Sequence, residues 1–173
     1  MTRRRPPQVE ITPESDLWHA IADIETIIGR AVTAAVTESG ATLHPAAELS
    51  VVLSDDAHVR ALNRDWRQID KATNVLSFPA VQGALSSAPL LGDIVLAYET
   101  LEREAQAEGK PLDHHLAHLV VHGTLHLFGF DHETDDEAED MEALERQALQ
   151  RLGIPDPYAV PLSATTQPVA AGM

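Results

Sequence analysis

The most informative stretch of this chain runs from His122 to His132 and reads HGTLHLFGFDH. His122 and His126 are four residues apart, so on a helix their imidazole rings share one face and can hold one ion. Gly129 favours the left-handed turn that ends a helix, which allows the chain to double back. His132 then arrives from outside the helix as a third ligand. Three histidines with an open fourth position are typical of a catalytic zinc site.

The other histidines allow a simpler interpretation of this stretch. Five of the nine histidines lie between positions 114 and 126, and four of them step by four residues. Such a stripe also occurs as an ordinary polar face of a helix. Gly129 and His132 extend only the 122/126 pair, which then matches the zinc-protease pattern H-E-x-x-H-x-x-G-x-x-H at its His and Gly positions. We therefore assign the metal to that pair and His132. Three histidines are left as surface or packing residues: His114, His115 and His118.

Position 123 separates this site from the zinc proteases. Those enzymes carry a glutamate directly after the first histidine, as the general base, whereas this chain has Gly123. Three neutral imidazoles leave the full double charge of the ion in place, and such an ion lowers the pKa of bound water to about 7. Hydroxide is then available at neutral pH, but peptide hydrolysis is disfavoured because the base that steers it is missing.

The composition places this site in an acidic chain without cysteine. The 173 residues suit one domain with a sizeable core. The absence of cysteine excludes disulfides and thiolate zinc sites. With 27 acidic and 12 basic residues the net charge is −15, which repels polyanions at long range and excludes a general nucleic-acid binder. A site that handles phosphate must therefore be locally basic.

We expect that the N-terminal arginines do not begin a signal peptide. Arg3, Arg4 and Arg5 are followed by prolines instead of an apolar region, and no apolar run approaches the ~20 residues that a membrane span needs. We expect a cytoplasmic protein with neither a membrane partner nor a nucleotide cofactor.

Hydrophobic periodicity predicts one α+β domain over residues 8–158, between a flexible N-terminus (1–7) and a flexible, uncharged tail (159–173). Four short apolar runs suit strands: Gln8–Ile11, Leu49–Leu53, Val75–Phe78 and Ile94–Ala97. About five to six helices are expected. The first is Pro13–Ser39, with Leu17 and Ile21 inward, and the second is capped by Ser54, with Val59, Leu62 and Trp66 inward. The others are Glu99–Glu108, Leu112–Phe128 and a last helix with a Thr134–Glu137 capping box.

Four of the twelve basic residues form a possible stripe: Arg60, Arg64, Arg67 and Lys71. Their spacing places them on one face if the helix continues that far. Arg60 and Arg64 also fit an ordinary solvated face. A phosphodiester site needs a guanidinium near the metal, because two cationic centres can share the charge that develops on the phosphoryl oxygens.

Several sequence blocks together resemble the YbeY-type endoribonucleases, the bacterial rRNA maturation factors. The histidine block carries most of this resemblance. Two further blocks agree with it: LNRDWR at 62–67 with TNVLSFP at 73–79, and LGDIV at 91–95. The resemblance runs from about Leu49 to Tyr158 with its motifs in order, and position 123 is glycine in that family too.

The resemblance implies a mixed four-stranded sheet, one zinc ion and metal-dependent cleavage of single-stranded RNA. It also implies a role in 16S rRNA 3′-end maturation and ribosome quality control, with ribosome or ribosomal proteins as partners. The implied zinc ligands are His122, His126 and His132, and the implied catalytic arginine is Arg67. Two other classes stay open: a zinc peptidase and a metal-stabilised, non-catalytic ribosome assembly factor.

Several residues keep more than one interpretation. Asp131 either orients a neighbouring imidazole or caps its own turn. Arg64 and Lys71 are candidates for substrate binding, Ser77 is interpreted as structural, and the role of Asp93 is open. The acidic run at 133–145 is most simply a solvated helix face, and it is also suited to a basic ribosomal protein. The nucleophile is either zinc hydroxide or the ribose 2′-OH, and nickel or copper also fits the ligand type.

Overall fold

The computed structural model of the protein describes residues 6–159. Its four strands are β1 (Gln8–Pro13), β2 (Glu48–Ser54), β3 (Val75–Pro79) and β4 (Leu90–Ala97). Its five α-helices are α1 (Ile24–Ser39), α2 (Asp56–Arg67), α3 (Tyr98–Glu108), α4 (Leu112–Leu127) and α5 (Asp135–Arg151). Short 3-10 helices occupy Asp16–Ala20 and Leu85–Ser87. The predicted flexible ends, 1–7 and 159–173, lie almost entirely outside the described residues.

The strands form one mixed sheet in the order β1-β2-β4-β3. β2 is parallel to both β1 and β4, whereas the edge strand β3 runs antiparallel to β4, with Val75 opposite Leu96 and Pro79 opposite Gly92. The structure therefore confirms the predicted α+β fold with a mixed four-stranded sheet.

Helix α4 packs on strands β3 and β4 of the sheet and also contacts helices α1, α3 and α5. Its apolar side chains are buried on several sides of the helix; among them are Leu116, Val120, Val121, Leu125 and Leu127. Gly123 is buried against the sheet, where an added Cβ would lie 3.0 Å from Ile94 Cγ2 and 3.2 Å from Ser77 Oγ. The hydroxyl of Ser77 also donates to the Gly123 carbonyl oxygen at 3.2 Å. A glycine at this position thus lets the helix pack closely on strands β3 and β4.

The predicted helix over 13–39 is wrong in its first eleven residues. β1 continues to Pro13, a 3-10 helix follows, and α1 begins only at Ile24. The reason is tertiary: the buried Trp18 donates its indole N–H to the Ser54 carbonyl oxygen at 2.9 Å, which anchors the 3-10 turn on β2. Leu17, expected to face inward, is 44% exposed as a result.

Three predictions for the region of α2 are also wrong. Asp55, not Ser54, caps the helix, since its carboxylate accepts from the His58 N–H, whereas Ser54 is buried on β2. Trp66 is 70% exposed instead of inward. The helix ends at Arg67, so Lys71 lies beyond it and the basic stripe is interrupted. By contrast, the structure confirms the capping box of Thr134 and Glu137.

A substitution at Gly92 tests how closely strand β4 packs beside strand β3. It has a φ of +132°, and an added Cβ would overlap the Phe78 carbonyl oxygen and lie 2.9 Å from Leu127 Cδ2. We expect Gly92→Ala to lower the free energy of unfolding by about 2–4 kcal/mol, measured by urea denaturation, because strain and overpacking add. Gly83→Ala is the control, since Gly83 also has a positive φ of +88° but has no atom within 4 Å of an added Cβ. It should cost only about 1 kcal/mol, and equal losses in the two variants would contradict the overpacking.

Candidate metal centre

Three imidazole rings converge at one end of helix α4. His122 and His126 come from its last two turns and His132 from the loop that follows, and one nitrogen of each ring lies within 4.8 Å of the other two. The Nε2 atoms of His122 and His126 are 3.1 Å apart. The ring of His132 stacks on His122 with a centroid distance of 5.8 Å and is 5.1 Å from His126. The structure thus brings together the three histidines that the sequence analysis selected.

The turn after α4 carries His132 back to the other two rings. Gly129 adopts a φ of +97°, and its N–H donates to the His126 carbonyl oxygen at 3.0 Å. The N–H of Phe130 donates to the Leu125 carbonyl oxygen at 3.1 Å, which closes the helix end. Asp131 accepts from the backbone N–H of His132 at 2.8 Å, so its carboxylate makes the turn contact.

The protonation of His126 suits a metal ligand. Burial, together with the nearby His122 and His132, lowers the pKa of His126 to about 4. Its ring is therefore neutral at pH 7 and carries a free lone pair. Three imidazoles that lie close together and resist protonation are suited to binding one divalent cation.

A cleft of about 680 Å³ opens in front of the three rings. Arg67 and Lys71 lie on its wall. The guanidinium of Arg67 donates to the Ser77 carbonyl oxygen at 3.1 Å and lies 6.0 Å from the centroid of the Phe78 ring. These contacts hold one cationic group beside the histidine triad.

The other basic candidates point elsewhere. Arg60 pairs with Asp70 at 2.8 Å, and the exposed Arg64 contacts Asp65 at 3.2 Å without lining the cleft. The acidic residue Asp93, whose role the sequence left open, is exposed on β4. Of the predicted stripe, the structure therefore places only Arg67 and Lys71 at the cleft.

Glu145 corrects the interpretation of the acidic run as a wholly solvated face. It is 1% exposed, and its carboxylate accepts from His118 Nε2 at 2.6 Å, from the Tyr158 hydroxyl at 2.7 Å and from His122 Nδ1 at 3.2 Å. Burial alone would raise the pKa of Glu145, but the hydrogen bonds from His118, His122 and Tyr158 outweigh it and lower the pKa to about 2. The carboxylate is therefore ionised at pH 7.

The position of Glu145 in the sequence indicates that its side chain is buried. Met141 and Ala148 belong to the inward face of α5, and Glu145 stands on that same face, four residues after Met141. A lone carboxylate on an apolar stripe indicates a buried partner. Two of the three histidines left as surface or packing residues have carboxylate partners too: His118 contacts Glu145, and the buried His115 contacts Glu104 at 2.8 Å.

Among residues 6–159, no helix has both the length and the apolar character that crossing a membrane demands.

Comparison with known proteins places the chain in a family. The family model described as "Endoribonuclease YbeY" matches residues 12–153. Proteins named endoribonuclease YbeY from Rhodopseudomonas palustris (strain BisB18) and Methylocella silvestris are 56% and 49% identical to this chain. The first alignment covers 92% of this chain and 96% of the relative, and the second covers 95% and 93%.

A solved structure supports the fold. The solution structure of TM1509 from Thermotoga maritima is similar with a TM-score of 0.53 and 21% sequence identity, over 88% of this chain and 100% of that one. The family match over most of the chain, with relatives at about half identity or more, agrees with the motifs quoted above. The chain therefore belongs to the endoribonuclease YbeY family.

Proposed function

We propose that this protein is a zinc-dependent endoribonuclease that cleaves single-stranded RNA in the cleft beside α4. The observation that carries this proposal is the convergence of three imidazoles next to a held arginine. His122, His126 and His132 would hold the metal. Nitrogen donors in this number fit a catalytic zinc site with an open position, although nickel and copper accept the same donors. A bound zinc ion would supply Lewis acidity and a water molecule of near-neutral pKa.

Arg67 would bind the scissile phosphate. Its contact with the Ser77 carbonyl oxygen uses one of the five guanidinium N–H donors, and this contact orients the group on the cleft wall. An arginine held in this way can form charge-assisted hydrogen bonds to phosphoryl oxygens and stabilise the charge that develops there. Lys71 would add a second positive charge on the same wall.

Exposed apolar side chains beside Arg67 support a single-stranded substrate. Trp66 is 70% exposed and packs edge-on against Phe78 at a centroid distance of 6.4 Å, and Ile69, 46% exposed, lines the cleft. An exposed indole offers a stacking surface to an unpaired base, whereas bases inside a duplex have no free face. Such contacts matter here because a chain of net charge −15 does not retain RNA by bulk electrostatics.

In the cell, we propose that the protein acts in the cytoplasm on 16S rRNA, at 3′-end maturation and in ribosome quality control. Membership in the YbeY family supports this assignment. The acidic surface of α5, which begins with Asp135, Asp136 and Glu137, suits contact with basic ribosomal proteins. Pull-downs with ribosomal proteins at low and high salt would test this contact, which should weaken as salt rises.

The metal ligands give the first test of this function. His126→Ala should lose both zinc retention and RNA cleavage, because two imidazoles bind zinc far more weakly than three. Zinc content per chain is measured by elemental analysis, and cleavage is followed on a defined single-stranded RNA with and without chelator. Cleavage by wild-type protein should stop on chelation and return when zinc is added.

The same assay separates the competing classes. Casein is offered in parallel with RNA, and we expect no proteolysis, because Gly123 packs against Ile94 and supplies no general base. Casein cleavage without RNA cleavage would point to a zinc peptidase. Unfolding on chelation, with only the trace cleavage that His126→Ala also shows, would point to a non-catalytic assembly factor.

Arg67 gives a second test. Arg67→Ala should lower the cleavage rate about 10²–10³-fold with zinc content unchanged, because the variant loses stabilisation of the charged transition state while keeping the metal ligands. Arg60→Ala is the matched control on the same helix, since Arg60 pairs with Asp70 and does not line the cleft. Wild-type rates in Arg67→Ala would refute the phosphate-binding role.

Trp66 gives a third test, of single-strand binding. Trp66→Ala should weaken binding of a single-stranded oligoribonucleotide to metal-free protein by about 1–3 kcal/mol, with zinc affinity unchanged. In wild-type protein, the same RNA should quench the fluorescence of Trp66, whereas Trp18, which is 2% exposed, should not respond. If duplex RNA quenched the fluorescence of Trp66 as strongly as single-stranded RNA does, the stacking role would be contradicted.

A further inference from the structure

Glu145 is a buried carboxylate in direct contact with one of the three histidines of the metal centre. In the described part of the chain it pairs with no lysine or arginine, and its partners are two imidazoles and one hydroxyl. Burying a charge in this way is costly, and an apolar residue of similar volume would pack between Met141 and Leu149 without that cost. Packing of α5 therefore gives no reason for a glutamate at this position.

We propose that Glu145 is a positioning residue that holds His122 in the tautomer and orientation required for metal binding, an inference that rests on the proposed metal-dependent function. The contact at 3.2 Å between Glu145 Oε2 and His122 Nδ1 places a ring proton on Nδ1, because the carboxyl oxygen accepts and the ring N–H donates. In the neutral ring the lone pair is then on Nε2. That Nε2 is the atom 3.1 Å from His126 Nε2, on the side where the three rings converge.

Two further side chains hold the carboxylate itself. His118, one helical turn before His122, and Tyr158, which follows α5, both contact Oε1, and Oε2 is left to accept from His122. This division fixes the rotation of the carboxylate. It also explains why His118 lies outside the group of converging ligands although it is spaced four residues from His122. A carboxylate behind a ligating imidazole raises the basicity of the ring as well as orienting it.

The affinity of the protein for zinc tests this inference. Glu145→Gln keeps the side-chain shape but removes the charge, and we expect zinc affinity to fall about 10–100-fold. Affinity is measured by competition with a chromophoric chelator at fixed pH, and the melting temperature of the metal-free protein is measured alongside. A purely structural role would lower that melting temperature and leave the zinc affinity of the folded protein unchanged, which would overturn the inference.

Glu104→Gln is the matched control. Glu104 contacts His115 Nε2 at 2.8 Å on the same helix α4, but His115 is not one of the converging ligands. This variant should bind zinc like the wild type. An equal loss of affinity in both variants would show a general effect of removing acidic charge and would overturn the positioning role.

The tautomer of His122 provides a test that does not depend on any variant folding. In long-range ¹H–¹⁵N spectra of metal-free wild-type protein, His122 should carry its proton on Nδ1 at a pH where the ring is neutral. A proton on Nε2 would overturn the inference. Failure of wild-type protein to bind zinc at all would instead refute the proposed function, so the two failures are distinguishable.

Discussion

The close packing of helix α4 on the sheet at Gly123 is the constraint on which the metal centre depends. With no side chain at that position, the helix approaches Ile94 and Ser77 closely enough that any Cβ would crowd both. The side of α4 that carries Gly123 is then buried against the sheet, and His122 and His126 project from the helix toward the cleft. A glutamate base of the zinc-protease kind has no place here, since a side chain at position 123 would point at the sheet and not at the three imidazoles.

Ser77 connects the helix that bears the histidines with the arginine of the cleft. Its hydroxyl donates to the backbone of α4 at Gly123, and its carbonyl oxygen accepts from the guanidinium of Arg67. One residue of the edge strand β3 thus sets the position of the arginine relative to the helix that bears the histidines. Each contact has one backbone partner, the Gly123 carbonyl oxygen in the first and the Ser77 carbonyl oxygen in the second, and these contacts keep the guanidinium on the cleft that the three imidazoles also line.

The charge of the cleft differs from that of the chain as a whole. The chain as a whole is strongly acidic, whereas the cleft holds neutral imidazoles, one arginine and one lysine. The buried carboxylate of Glu145 lies next to His122 and does not line the cleft. The positively charged side chains of the cleft are therefore a local exception in an acidic protein.

Local patterns in the sequence were enough to predict the sheet strands, the capping box and the histidine triad. Spacing of four residues, followed by a glycine turn, specifies which side chains meet, because helix geometry and a left-handed turn act over a few residues only. Contacts between distant segments decided the rest: Trp18 anchored on β2 at Ser54, Arg67 held by Ser77 and Glu145 placed behind His122. These pairs are separated by 10 to 36 residues, and no period in the sequence records which elements will pack together. Tertiary packing alone brought them into contact.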